Sequence, residues 1–195
     1  MKNPYLLNTH DLPRRAGEMK QYELDIEAPE RVGVPLIGVA QGDIIEVDAR
    51  LESVTEGVLL SAEIYAVARG ECIRCLDPVE MEVERTIQEL YRYEPTHDKS
   101  KRKHRDDDDD IDLEAEDELQ MDGDVLNLEI PIIDAIILAL PINPLCDDEC
   151  LGLCPDCGEK WETLPDDHTH DVVDPRWSGL KSLLDGPSDF GNQSK

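Results

Sequence analysis

Six cysteines fall in two clusters, Cys72-Ile-Arg-Cys75 and Cys146-x3-Cys150-x3-Cys154-Pro-Asp-Cys157-Gly158. A thiolate is a strong ligand for zinc. The Cys-x-x-Cys spacing lets one tight turn offer two sulfurs to one ion, and two such turns close a tetrahedron. Gly158, directly after the last cysteine, suits a backbone turn that aims sulfurs at a metal. A single Cys-x-x-Cys also fits a redox pair. Two pairs with two further cysteines between them point to metal instead.

Six thiols exceed one tetrahedral site, and three quartets are open. The preferred one joins the two Cys-x-x-Cys turns, Cys72, Cys75, Cys154 and Cys157, as in a zinc ribbon. A second is local: Cys146, Cys150, Cys154 and Cys157. It needs little long-range closure, but its short spacers strain the tetrahedron. The third, Cys72, Cys75, Cys146 and Cys150, ranks last. A four-thiolate site leaves no open position for substrate water, so the expected zinc is structural, a staple between distant parts of the chain.

Other candidates carry less chemistry. His168-Thr-His170 with Asp171 is a candidate second ligand set, but it reads rather as a surface loop, because two histidines two positions apart rarely supply a full site. Trp161 is expected to pack over the second metal turn and Trp177 to lie in the core. Arg74, inside the first cysteine pair, either points to water or reaches a phosphate or carboxylate. There is no Gly-rich phosphate loop, and no carboxylate pair is marked out for acid–base work, which needs two carboxylates in different environments. The expectation is a protein that is not an enzyme.

Alternating strands must position the cysteines. Tyr22, Leu24 and Ile26 alternate with Glu23, Asp25 and Glu27. A looser apolar segment, 32–40, follows. Ile45, Val47, Ala49 and Leu51 then alternate with Glu46, Asp48, Arg50 and Glu52. Leu60, Ala62, Ile64, Ala66 and Ala68 repeat the pattern, as do Val79, Met81 and Val83. Half-buried alternation with short connections favours antiparallel strands, with Cys72 and Cys75 at a hairpin end. Residues 125–130 form a short strand. Pro131 opens a helix whose apolar face holds Ile132, Ile133, Ile136, Ile137 and Leu140, and Pro141 and Pro144 stop it just before Cys146. Asp174-Pro175 marks the start of a last helix carrying Trp177, Leu180 and Leu184. The expected fold is α+β: an antiparallel sheet over 20–93, as a meander or open barrel, with a packing helix near 132–140 and a zinc-ribbon-like cysteine element.

Between these parts lies a different material. Lys99, Lys101, Arg102, Lys103 and Arg105 precede Asp106–Asp110, and twelve acids fall between Asp106 and Asp124 with no Lys or Arg. Such a stretch buries too little apolar surface to order itself. The expected organisation is a β-rich part over 1–95, a charged disordered insert over 96–124, the helix and second cysteine cluster over 125–187 completing the same domain, and a loose tail over 188–195.

The 195 residues include 46 Asp and Glu against 19 Lys and Arg, a formal charge of -27. This charge repels bare phosphate backbones, so a protein or basic surface is the expected partner. Aromatic residues make up only 4% of the chain, which leaves few platforms for stacking bases. The apolar run from Ile130 to Ile142 is too short and too interrupted to span a bilayer. The first ten residues hold no signal-peptide core. A cytoplasmic protein with reduced thiols is expected.

Taken together, Cys72-Ile-Arg-Cys75-Leu76-Asp77-Pro78, the segment Leu126-Asn-Leu128 leading to Pro131-Ile-Ile-Asp-Ala-Ile-Ile-Leu-Ala-Leu-Pro141, and the cluster from Cys146 to Gly158 resemble the YceD family. Residues 54–60 and the ending His168-Thr-His170 with Asp174-Pro-Arg-Trp177 resemble its actinobacterial branch. The resemblance implies a role in accumulation of large-subunit ribosomal RNA. Joined to the acidic charge, it implies a non-enzymatic assembly factor that engages a basic ribosomal protein or a pre-ribosomal particle. The alternatives are an rRNA-binding or rRNA-processing protein that contacts RNA through metal knuckles, and a thiol oxidoreductase using Cys72 and Cys75.

Overall fold

The computed structural model describes residues 3–93, 119–170 and 176. In chain order its strands are β1 (Leu6–Asn8), β2 (Met19–Glu27), β3 (Val32–Val34), β4 (Ile37–Val39), β5 (Ile44–Ser53), β6 (Gly57–Glu71), β7 (Pro78–Arg92) and β8 (Val125–Asn127), followed by helix α1 (Glu129–Ala139). The residues that alternate in sequence form β2, β5, β6 and β7. Their even spacing puts the alternating apolar side chains on one face: Ile45, Val47, Ala49 and Leu51 are buried on β5, and Leu60, Ala62, Ile64, Ala66 and Ala68 on β6.

Strand β6 is the spine of an antiparallel sheet. It pairs with β7 along 57–71, with β5 over 58–65, and with β4 at Arg69 and Gly70. Strand β2 lies outside β5, and β3 forms a hairpin with β4. Strands β2 and β7 are not partners, so the sheet is open rather than closed. Gly70 permits the crossing with β4, because a Cβ there would fall 2.1 Å from the Leu36 carbonyl oxygen. Among the described residues no helix is long and apolar enough to cross a membrane.

Helix α1 covers the buried face through Pro131, Ile132, Ala135 and Ile136, packing on β3, β6 and β7. It starts at Glu129, so Pro131 sits in its first turn, where the missing N–H is not needed. Asn127 works as the junction. Its side-chain oxygen accepts from the Glu129 N–H at 3.1 Å, and its carbonyl oxygen accepts from the Tyr91 hydroxyl at 2.7 Å.

The boundary of the charged stretch differs from the expectation. Residues 94–118 lie outside the described part, but 119–124 belong to the fold. The Arg92 N–H donates to Leu119 O at 2.9 Å, the Met121 N–H donates to Arg92 O at 3.0 Å, and Met121 is buried. Composition averaged over a window hides one methionine among carboxylates, yet one buried side chain plus two backbone bonds suffices to anchor a strand edge. The C-terminal helix expected from Asp174, with Trp177, and the tail over 188–195 fall outside the described residues.

Candidate metal centre

The turn between β6 and β7 carries Cys72 and Cys75. The Leu76 N–H donates to Cys72 O at 2.9 Å and the Cys72 N–H to Asp77 O at 2.8 Å. The turn at the second Cys-x-x-Cys repeats this pattern: the Gly158 N–H donates to Cys154 O at 2.8 Å and the Cys154 N–H to Glu159 O at 2.7 Å. Both turns need a left-handed residue after their second cysteine. Gly158 supplies it with φ 74°, and Leu76 adopts it with φ 63° despite its side chain. The chain therefore builds one metal-type knuckle twice.

The sulfurs of the two knuckles fall into different groups. Cys72, Cys75, Cys146 and Cys150 converge, with all four sulfurs within 4.8 Å of one another. Cys72 Sγ lies 3.9 Å from Cys150 Sγ, and Cys75 Sγ lies 3.4 Å from Cys146 Sγ. Zinc–sulfur bonds of about 2.3 Å in a tetrahedron set sulfurs about 3.8 Å apart, so this spacing fits one ion. Cys154 and Cys157 instead converge with His168 and His170. The expected ribbon quartet is thus divided between two groups, and the quartet ranked last in the sequence is the all-thiolate set that the fold assembles.

Tertiary contacts explain the division. The loop after α1 meets the β6–β7 turn. The Ile73 N–H donates to Pro144 O at 3.0 Å, and the Leu153 N–H donates to Arg74 O at 3.1 Å. Gly152 permits that approach, since a Cβ there would meet Arg74 O at 2.9 Å. Arg74 is exposed, and its Nη1 donates to Cys150 O at 2.8 Å and to Asp148 O at 3.3 Å. Lys160 Nζ donates to Asp77 Oδ2 at 2.5 Å, tying the residue just after the second knuckle to the last residue of the first. Lys160 holds the Asp77 carboxyl below its usual range.

The thiols of the first group are driven apart in acidity. Burial opposes ionisation of Cys72, but the backbone N–H groups of Cys146, Cys75 and Arg74 point at its sulfur and bring its pKa down to about 6. At Cys75 the Asp77 backbone favours the thiolate. Burial and the neighbouring thiols of Cys146, Cys72 and Cys150 outweigh it and push the group well above its usual range. Four sulfurs this close cannot all carry charge unaided, and a divalent cation among them removes the conflict. Cys72 is fully buried, which argues against the exposed nucleophile that thiol exchange requires.

In the second group, Cys157 Sγ lies 3.6 Å from His168 Nε2. The Trp161 ring stands edge-on to the His168 ring with centroids 5.6 Å apart, so Trp161 does pack beside the second turn. The sequence places His168 and His170 in a surface loop, with Cys154 and Cys157 paired to Cys72 and Cys75; the fold brings both histidines to the second turn instead.

Residues 60–184, which span both groups, match the family described as large ribosomal RNA subunit accumulation protein YceD. The chain belongs to the YceD family. Uncharacterized proteins of Mycobacterium tuberculosis and Mycobacterium bovis are each 36% identical to it over 188 residues, covering 96% of this chain and 84% of the relative. One of Mycobacterium leprae is 32% identical over 182 residues, covering 93% and 78%. These relatives agree with the actinobacterial branch suggested by residues 54–60 and 168–177. No solved structure matches the chain. The YceD description names accumulation of an RNA subunit rather than a reaction, and the two cysteine-rich groups are positioned to hold a metal ion.

Proposed function

We propose that this protein is a non-enzymatic, cytoplasmic factor in assembly of the large ribosomal subunit, which holds a basic ribosomal protein or an immature particle. Membership of the YceD family supports the pathway. The observation that carries the mode is the solvent face of the sheet. Asp48 on β5 stands directly opposite Glu23 on β2 and Glu63 on β6. One row along, Asp25, Glu46, Tyr65 and Glu84 are successive cross-strand neighbours. Like charges placed opposite one another destabilise a sheet. A cationic partner would relieve that repulsion. Burial, followed by Glu82, Glu46 and Glu80, keeps the Tyr65 phenol above its usual range.

Zinc in the Cys72, Cys75, Cys146 and Cys150 group would serve as the staple. It would clamp the β6–β7 turn to the loop after α1 and hold the sheet rigid, and its closed four-thiolate shell leaves no position for substrate. Contact with rRNA through the first knuckle is less favoured, because Nη1 of the exposed Arg74 is already engaged by the carbonyl oxygens of Cys150 and Asp148.

The test is capture of the full chain with its partners from cells at low and high salt, with bound protein and RNA identified separately. The expectation is a basic protein whose retention falls as salt rises. Depletion should lower large-subunit rRNA relative to small-subunit rRNA. Equal levels of both after depletion would count against an assembly role, and salt-resistant binding of naked rRNA would favour direct RNA contact.

A further inference from the structure

We infer that Cys154, Cys157, His168 and His170 form a second zinc site, so that one chain carries two ions of different ligand type. The second knuckle has the backbone turn of the first, down to both hydrogen bonds and the left-handed residue, but has no cysteine partners left once Cys146 and Cys150 join Cys72 and Cys75. Two imidazoles take their place. The four ligand atoms lie within 4.8 Å of one another. A tetrahedral ion with zinc–sulfur and zinc–nitrogen bonds of about 2.3 and 2.05 Å sets sulfur and nitrogen about 3.6 Å apart. The Cys157 Sγ to His168 Nε2 distance is 3.6 Å.

Little buried packing supports this convergence. Over residues 154–170 Cys154 alone is buried. The segment holds a 3-10 turn, Trp161–Thr163, a few local backbone bonds such as His168 N–H to Pro165 O at 2.9 Å, the Lys160–Asp77 ion pair and ring contacts of His168 with Trp161 and His170. That is little to bring two histidines back over a knuckle whose last cysteine lies 11 residues before the first of them. An ion bound by deprotonated ligands supplies the missing anchor, because its binding free energy becomes folding free energy. Trp161, edge-on to His168, would orient that ring in the way outer groups orient metal-bound imidazoles. The site is more open than the first, since Cys157 and His170 are exposed whereas Cys146 is the single exposed member of the all-thiolate group. Its ion should therefore be the first lost to a chelator.

The experiment is metal analysis of the full chain purified under reducing conditions, together with replacement of zinc by Co2+. The expected result is two zinc ions per chain and two sets of cobalt bands, one from a four-sulfur site and one at shorter wavelength from a two-sulfur, two-nitrogen site. The double variant His168→Gln/His170→Gln should keep one ion and only the four-sulfur bands. One zinc per chain in the unaltered protein would overturn the inference. So would retention of two ions and an unchanged cobalt spectrum in the double variant. Should that variant fail to fold, the cobalt spectrum of the unaltered chain still decides, because four-sulfur bands alone exclude the histidine site. None of these outcomes depends on ribosome binding, so the inference stands or falls apart from the proposed function.

Discussion

Arg74 Nη1 donates to the carbonyl oxygen of Cys150 at 2.8 Å, joining residues 76 apart in the chain. The guanidinium leaves from inside the first knuckle and caps the loop that delivers the other two thiols. One side chain thus holds both halves of the all-thiolate group in register before any ion is considered.

Replacing Arg74 with Ala leaves the Cys150 carbonyl, and that of Asp148, without this donor. Hydrogen bonds from a charged donor to a partly buried acceptor contribute about 1–2 kcal/mol. The expected outcome is a urea midpoint lowered accordingly and faster zinc transfer from the thiolate group to a chelator. Both bonds leave the single nitrogen Nη1, so Arg74→Lys, with three N–H donors on its ammonium, should recover part of the loss.

Leu76 pays for its left-handed backbone at φ 63°. An L-residue there costs about 1–2 kcal/mol, and the side chain is 61% exposed, so little burial is lost by removing it. Leu76→Gly should raise stability by about 0.5–1 kcal/mol after the added unfolded-chain entropy of glycine is subtracted. Gly158→Ala, at φ 74° in the matching turn, should lower it. Denaturant unfolding of both variants reads the two signs.

Tyr91 is buried and donates to Asn127 O, which ties β7 to the strand before α1. Tyr91→Phe should cost about 1 kcal/mol by leaving that acceptor unpaired. The substitution should also change the alkaline limb. Burial, assisted by Glu89, raises the Tyr91 pKa above its ordinary 10.0. Its contribution is complete below about pH 10 and fades as the unfolded chain ionises above it. Stability of the unaltered protein should therefore fall more steeply above pH 10 than that of Tyr91→Phe, as thermal midpoints across pH 9–11 would read.

Asp48 faces a carboxylate on each side, Glu23 and Glu63. Asp48→Lys converts two like-charge pairs into opposite-charge pairs, and should stabilise the sheet by about 0.5 kcal/mol at low salt. The gain should shrink at high salt. If the acidic face holds a basic partner, the same variant should bind that partner more weakly. Stability and binding would then move in opposite directions, as expected where a surface is kept unfavourable for function.

The period-two alternation of 45–51 and 58–68 determined, from sequence alone, which face of the sheet would be buried, because side-chain direction in a strand depends only on position parity. Pro131, Pro141 and the isoleucines between them likewise determined a helix ending just short of Cys146. Cysteine spacing determined that two knuckles would form, since each closes within six residues by local hydrogen bonds. Tertiary structure alone decided which sulfurs meet. Cys72 and Cys150 are brought to 3.9 Å by the packing of α1 on the sheet and by the Ile73–Pro144 and Arg74–Leu153 backbone bonds. No spacing rule encodes those contacts, because they depend on where a helix docks and not on the distance along the chain. The same holds for Met121, whose burial beside Arg92 is invisible within an acidic window. It holds too for His168 and His170, for which a ligand role outweighs a surface loop only once the second knuckle is seen to have lost its cysteine partners to the first.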